Sequence, residues 1–428
     1  MEAFEAWINH DDDNTHSKSF ICPQITVQES SVFGRGLFAL EDLDKPQLII
    51  RIPHRLLVNF TTVVKHICRY IPHVDFDQHP LYASINRAYE PPELSDDAAA
   101  RFYRQLDIAT LEALSSFQVV SLFLIVESSR PHSVWQPFLA MLPQLSDFDA
   151  VPLVWTIRDN QPQWHKRLPP SAQAHAAKVE ARFDEDWQVV SKLTSQRGYT
   201  IQKLEYLRYW MCINSRCLYM DIPQGTTTAD NFTLAPYVDF INHTDSDQCR
   251  LKIDGKGFQV FTSTPYKKGD QLFFSYGPHS NEFLMCEYGF ITPTNKWNTL
   301  DITHHILPEV SSRPAWKEWL QDNDYWGEYT ISSDGAASFR TEMALAVVQE
   351  PHPEQSRRLQ AFVSGYTDGA VYERYTHRRL REVLESVISA ATTELEKPPL
   401  PGFAGDCVKQ IWQDQWEIAK TALTQLKK

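Results

Sequence analysis

No Cys-x-x-Cys pair occurs in this 428-residue chain. Its seven cysteines, Cys22, Cys68, Cys212, Cys217, Cys249, Cys286 and Cys407, are odd in number and scattered. That pattern fits reduced thiols inside a cell and speaks against a zinc cluster or a disulfide framework. Long apolar runs are also missing. The longest candidate, Val119 to Val126, falls well short of the roughly 18 residues a membrane span needs. Basic charge is scarce: 41 Lys and Arg stand against 54 Asp and Glu, a formal charge of -13. Phosphate binding needs clustered Lys and Arg, so a chain devoted to nucleic acid is disfavoured. The charge suits solubility, and it is compatible with a basic protein partner. There is no Gly-x-Ser-x-Gly elbow to support Ser-His-Asp hydrolysis. No internal repeat and no low-complexity segment are found. The first twenty residues are polar and acidic, through Asp11, Asp12 and Asp13, and do not read as a signal peptide. Lys427-Lys428 is too little for a basic targeting run. The expectation is an intracellular protein, cytoplasmic or nuclear, with no membrane and no nucleic-acid partner.

What is present is core material. Apolar residues make up 43% of the chain, with 12 Trp, 17 Tyr and 23 Phe. At about 150 residues per domain, the length suggests two or three domains. Phe4, Trp7 and Ile8 share one helical face, and His10 to Ser19 reads as a loop. Residues 21–58 read as strands, with the Gly34-Arg35-Gly36 turn between them. From about 61 the pattern turns helical and stays so to about 212. Strands return over 215–276, with Asp254-Gly255-Lys256-Gly257 as a hairpin turn and Lys267–Asp270 as a second turn. Ser280 to Glu287 reads as a helix. Further helices are predicted over 314–321, 338–350, 353–367, 371–396 and 404–426. His304-His305 and Asp11–Asp13 read as solvated loops, because no third or fourth metal ligand is suggested nearby.

Three pieces carry the chemistry. Gly34-Arg35-Gly36-Leu37-Phe38-Ala39 lets the backbone turn sharply and approach a ligand. Tyr237-Val238-Asp239-Phe240-Ile241-Asn242-His243 ends an apolar run with two hydrogen-bonding side chains. Gly269-Asp270-Gln271-Leu272-Phe273-Phe274-Ser275-Tyr276-Gly277 follows thirty residues on. Alone, each has a bland reading as a turn, a buried hydrogen-bonder or a core aromatic. In this order and spacing they resemble the SET-domain methyltransferases, which move a methyl group from S-adenosylmethionine to a protein lysine. Ser215-Arg216, Glu287-Tyr288-Gly289-Phe290 and the run Glu127 … Ser133-Val134-Trp135-Gln136-Pro137-Phe138 … Leu142-Pro143 are similar to the subgroup that includes the Rubisco large-subunit methyltransferase.

The resemblance implies an α+β fold: a β-rich knotted SET core with a helical insert and a C-terminal all-helical domain. The division it suggests is 1–60 and 213–292 for the core, 61–212 for the insert and 293–428 for a substrate-binding tail. It also implies roles. The backbone around Arg35, Gly36, Leu37 and Ala39 would meet the methionine end of the cofactor. Asn242 would meet its amine, His243 its adenine and Arg216 its carboxylate, and Tyr288 is assigned with them to the cofactor. Ser215 and Asp239 would line the lysine pocket. Tyr276 would border the pore, orient the amine and help deprotonate it. The product is S-adenosylhomocysteine, and the chemistry calls for no metal. The partner is a protein substrate, recognised partly by the helical tail, with a lysine of a non-histone protein as acceptor. Two departures stand out. Thr244 to Ile253 holds none of the aromatics that the subgroup places there, and Leu218 stands where an aromatic often packs the cofactor, with Tyr219 next. They leave open a histidine or small-molecule acceptor. A catalytically inactive SET-fold binding protein is the other alternative.

Overall fold

A computed structural model describes residues 1–9, 18–30, 34–71, 96–219, 232–246 and 249–426. Asp11–Asp13, Asp247, Lys427-Lys428 and the side chain of Tyr219 lie outside the described residues. The chain forms two compact units: Met1–Phe148 with Glu180–Gly277, and Asp149–Val179 with Pro278–Lys428. Residues 149–179, within the stretch expected as the insert, therefore group with the C-terminal part.

The first unit holds eleven strands among its described residues: β1 (Phe20–Ile21), β2 (Ile25–Ser30), β3 (Gly34–Ala39), β4 (Leu48–Ile52), β5 (Val58–Asn59), β6 (Leu218–Tyr219), β7 (Phe232–Leu234), β8 (Asn242–His243), β9 (Cys249–Asp254), β10 (Gly257–Thr262) and β11 (Gln271–Phe274). They make three small sheets, in the orders β1-β4-β10-β9, β2-β3-β11-β8 and β5-β7-β6. The predicted hairpin is present, with Gly257 opposite Asp254. Gly257 has φ +102°, and a Cβ there would strike the Ile52 carbonyl, so glycine permits both the turn and the close approach of β4. β10 then pairs with β4, Phe258 against Ile52 and Val260 against Ile50, burying Phe258, Val260, Ile50 and Ile52.

Helices α1 (Glu2–Ile8), α2 (Phe60–Cys68), α3 (Ser116–Ser128), the later part of α4 (Pro170–Ser195) and α5 (Lys203–Arg216) belong to this unit, with short helices at Ala98–Tyr103, Ile108–Glu112 and Gln136–Leu139. Asn59 and Thr62 form a capping box that starts α2, and Ser115 and Gln118 do the same for α3. Buried residues surround α3 on every side, as befits a central core helix. The run from Glu127 to Pro143 has a structural reason. Glu127 is fully buried and meets Arg130 Nη1 at 2.8 Å, Tyr103 Oη at 3.1 Å, His66 Nε2 at 3.2 Å and the Ser133 hydroxyl. Gln136 Nε2 donates to the carbonyls of Arg130, Glu127 and Ser128. Arg208 on α5 donates to the carbonyls of Leu142 and Pro143. A polar hub of this kind is expensive to bury incompletely and specific when every member is bonded.

The second unit carries α6 (Asn281–Tyr288), α7 (Thr303–Val310), α8 (Phe339–Val347), α9 (Ala370–Leu395) and α10 (Gly402–Gln425). A short antiparallel ribbon, β12 (Thr299–Asp301) with β13 (Thr330–Ser332), lies among the helices. Leu300, Ile306, Tyr329, Leu345, Leu384 and Ile418 belong to one buried apolar cluster. Trp412 Nε1 donates to the Arg167 carbonyl at 2.7 Å, and Arg167 pairs with Glu394. These contacts tie residues 149–179 to the tail. His304-His305 is not a loop as expected: both lie in α7, because Ile302, Ile306 and Val310 recur at helical spacing and face the core. The helix expected over 353–367 is two pieces, a 3-10 turn at Pro353–Gln355 and a helix at Arg357–Val363. Ser356 caps the second piece, with Leu359 N–H donating to its hydroxyl at 3.1 Å.

Candidate active site

The organising feature of the first unit is where β11 changes partners. Its first residues pair antiparallel with β3, Gln271 opposite Phe38 and Leu272 opposite Leu37. Its last two pair parallel with β8, Phe273 with Asn242 and Phe274 with His243. One strand thus brings the glycine turn and the Asn-His pair side by side, although about 200 residues separate them in the chain. Asn242 Nδ2 closes the gap by donating to the Arg35 carbonyl at 3.1 Å.

Just past β11 the chain folds back on the same segment. Tyr276 N–H donates to His243 Nδ1 at 3.0 Å, and the Tyr276 hydroxyl donates to the Ile241 carbonyl at 3.0 Å. The two rings lie 5.1 Å apart. Because Nδ1 accepts, the His243 ring is held in one tautomer and one orientation. Tyr276 remains half-buried.

Asp239 sits two residues beyond Tyr237, which adopts φ 72°. A bulky non-glycine residue in that region is strained, and such strain concentrates at functional segments. Arg216, the last residue of α5, places Nε 3.7 Å from Asp239 Oδ2 and donates from Nη1 to the Ser215 hydroxyl at 3.2 Å. Ser215 is buried and donates to the Met211 carbonyl one turn back, at 2.7 Å. Burial raises the Asp239 carboxyl above the usual range, and Arg216 and Arg35 offset this only in part. Its Oδ1 is buried with no hydrogen-bond partner among the described residues.

Of the expected site residues, Arg35, Gly36, Ser215, Arg216, Asp239, Asn242, His243 and Tyr276 gather around this crossing. Leu37 and Ala39 lie further along β3 with buried side chains. Ala39 needs a correction. Its N–H donates to Asp270 and is not offered to a ligand, while its carbonyl accepts from Gly269 in the turn before β11. Arg35 likewise commits its guanidinium inside the protein: Nη2 donates to the Met141 carbonyl at 2.8 Å, and the group stands 5.3 Å from the Phe240 ring centre. Tyr288 belongs to the second unit, at the end of α6. There Gly289, with φ 82°, closes the helix, and Glu287 meets His175 Nε2 at 2.7 Å.

One residue was missed. Gln271 reaches across β3 so that a Cβ at Gly36 would collide with its amide and stand 3.0 Å from Asn242 Nδ2. Its Nε2 is buried without a partner among the described residues. In sequence Gln271 is only the first residue of a strand; nothing there says that it faces Gly36, because that depends on register. The Gly36 cleft thus holds an amide donor without a partner among the described residues, and Asp239 supplies an unpartnered carboxylate oxygen in the same unit. A donor and an acceptor of this kind suit a small zwitterion carrying both an ammonium and a carboxylate.

Residues 34–277 match the SET domain. The chain belongs to the SET-domain family. Residues 298–425 match a second family, the Ribosomal lysine N-methyltransferase 2 C-terminal domain. Ribosomal lysine N-methyltransferase 2 of Saccharomyces cerevisiae is 29% identical over 452 residues, covering 93% of this chain and 91% of the relative. Ribosomal lysine N-methyltransferase set11 of Schizosaccharomyces pombe is 30% identical over 320 residues, 71% of this chain and 78% of the relative. Among solved structures, Rubisco LSMT bound to AdoMet superposes on this chain with a TM-score of 0.63 at 14% identity. It covers all of this chain and 91% of that one. The SET domain of LSMT bound to lysine and AdoHcy gives 0.60 at the same identity. At that distance the likeness establishes the SET fold alone.

Proposed function

We propose that this chain is an S-adenosylmethionine-dependent protein-lysine N-methyltransferase whose acceptor is a lysine of a ribosomal protein. The observation that supports it most directly is the crossing of β3, β8 and β11. It sets the Gly34–Gly36 turn beside Asn242, and Asn242 lies with Asp239 on the segment that receives both hydrogen bonds from Tyr276. The names of the two yeast relatives support the ribosomal acceptor.

When bound, S-adenosylmethionine supplies an electrophilic methyl on a positively charged sulfur and departs as S-adenosylhomocysteine. Gly36, Asn242 and Arg216 would hold its methionine end, and the backbone at His243 would receive its adenine. Leu37 frames the cleft from β3, and Tyr288 is assigned to the cofactor from the family pattern. The remaining work falls to the lysine pocket. A free lysine, with a pKa near ~10.4, is mostly protonated at neutral pH and has no lone pair to donate. Burial disfavours the ammonium, so entry into the pocket promotes loss of its proton to solvent water before the methyl is transferred. The Tyr276 hydroxyl donates its own proton to Ile241, so toward the amine its oxygen acts as an acceptor. It takes a hydrogen bond from the amine N–H and turns the nitrogen lone pair toward the methyl. Ser215 and Asp239 shape the polar wall of that pocket. The C-terminal unit contributes to recognising the protein substrate, and the reaction takes place inside the cell, in the cytoplasm or the nucleus.

The test is labelled S-adenosylmethionine incubated with the protein and a ribosome-containing lysate, followed by mass spectrometry of the labelled peptides. Label on a ribosomal-protein lysine, lost with Tyr276→Phe, is the expected result. Label on histidine or on a small molecule would overturn the acceptor. A bound cofactor with no label in any fraction would move the reading to a binding protein.

A further inference from the structure

Every residue of the proposed site lies well downstream of α1, yet α1 is built into the segment that carries the site. Phe4 is 1% exposed, Tyr237 0% and Phe240 4%. Their three rings contact one another. Phe4 stacks on Tyr237 at 6.2 Å and 17° between planes, meets Phe240 edge-on at 6.2 Å and 79°, and Tyr237 meets Phe240 at 5.8 Å and 87°. Trp7, one helical turn on, fastens α1 to the insert through Phe138 at 6.3 Å and Trp135 at 5.6 Å. Glu5 accepts a long hydrogen bond, 3.5 Å, from the Tyr237 hydroxyl.

We propose that α1 is a positioning element for the methyl-transfer site and that Phe4 is its contact residue, an inference that rests on the cofactor reading given above. Two routes lead from the Phe4 ring to the site. Through Tyr237 it holds a non-glycine residue at φ 72°, and that unusual backbone geometry is what aims Asp239, two residues later. Strained backbone persists only where its surroundings over-determine it, and Phe4 and Glu5 are among the groups that do so here. Through Phe240 it backs the ring that carries the Arg35 guanidinium, and the Arg35 carbonyl is the acceptor for Asn242 Nδ2. Truncating Phe4 removes one ring from a three-ring contact. It lets Tyr237 relax toward an ordinary φ, and the Asp239–Asn242 segment moves with it. The consequence is read first in the cofactor.

The test separates positioning from general stability. Phe4→Ala, Phe4→Leu and Leu111→Ala are compared with the unaltered chain. Leu111 is fully buried in the same unit on the helix Ile108–Glu112. Each variant is titrated with S-adenosylmethionine by calorimetry below its melting temperature, and KM for the cofactor is measured separately from kcat. Phe4→Ala is expected to weaken cofactor binding about tenfold or more, equivalent to about 1.4 kcal/mol. Phe4→Leu should fall between it and the unaltered chain, and Leu111→Ala should lower Tm comparably while binding within about twofold of it. Equal affinity in Phe4→Ala and the unaltered chain would overturn the inference alone. So would an equal loss in Phe4→Ala and Leu111→Ala, which would make α1 ordinary core. No binding by the unaltered chain would overturn the cofactor reading itself, and the inference with it.

Discussion

At Gly36 the side chain that is missing matters more than any that is present. A Cβ there runs into Gln271 and crowds Asn242, two residues the site needs in place. Gly36→Ala should lower stability by about 1–3 kcal/mol, the usual range for overpacking, and should weaken cofactor binding; urea unfolding and calorimetric titration check the two effects separately. Tyr276→Phe removes one hydroxyl and one hydrogen bond, to a carbonyl. Its methyl-transfer rate is expected to fall by about 10²-fold or more while cofactor affinity changes little, as single-turnover assays and titration would show. Asp239 gives a pH signature. Its carboxyl is raised in the folded state by burial. A raised acid binds its proton more tightly folded than unfolded, so its contribution to stability is full at low pH and is lost as pH rises through the folded value. Asp239→Asn should therefore flatten the dependence of the urea midpoint on pH above the ordinary carboxylate range, and should stabilise the chain at neutral pH. A midpoint for the asparagine variant that still falls with pH as the parent's does would contradict the burial argument.

Two elements depend on buried carboxylates of opposite character. On α3, burial works to raise Glu127, but His66, Arg130 and Ser133 outweigh it and hold the carboxyl down at about 2. Here the stability is present above the ordinary value of 4.5 and is lost as pH falls toward about 2. Glu127→Ala leaves Arg130 with Asp97 and the Tyr70 hydroxyl but takes from His66, Tyr103 and Ser133 the buried acceptor they share, and a loss of about 1–3 kcal/mol follows, measurable as a shift in denaturant midpoint. On α6, burial raises Glu282 to about 7, against hydrogen bonds from Ser171 and Gln415. The sign reverses: stability is full at low pH and is lost as pH rises from 4.5 through about 7. Glu282→Gln is expected to remove that loss and to raise Tm at pH above about 7 relative to the parent. Much of this level is readable from the chain. The hairpin at Asp254–Gly257, the caps at Asn59 and Ser115 and the glycine that ends α6 depend on neighbours a few residues away. The helix at His304-His305 was missed because two adjacent histidines obscured the Ile302, Ile306, Val310 spacing that defines it.

At the scale of the whole chain, the two compact units do not follow the order of the motifs. Residues 149–179 join the C-terminal unit through contacts such as Trp412 to Arg167 and Arg167 to Glu394. A chain cut after residue 292 therefore loses partners for a segment it retains. Limited proteolysis of that truncated chain should show new cleavage within 149–179, absent from the intact protein; protection equal to that of the intact protein would show that the segment folds without the tail. No helix among the described residues is long and apolar enough to cross a membrane.

The resemblance to the SET family marked the glycine turn, the Asn-His pair and Tyr276, while residue identity and short-range spacing separated the strand-rich from the helical stretches. Their physical basis is local: backbone preferences, turn chemistry and the period of apolar residues. Long-range pairing decided the rest. Only the change of partner along β11 brings Gly36 beside Asn242 and reveals Gln271, because register is set by contacts between strands distant in sequence. Only packing shows that the Ala39 N–H is committed to Asp270, that Tyr237 is held at a positive φ, and that Phe4 stands behind it. Burial, which raises Asp239 and Glu282, is likewise a property of what surrounds a side chain and has no mark in the order of the residues.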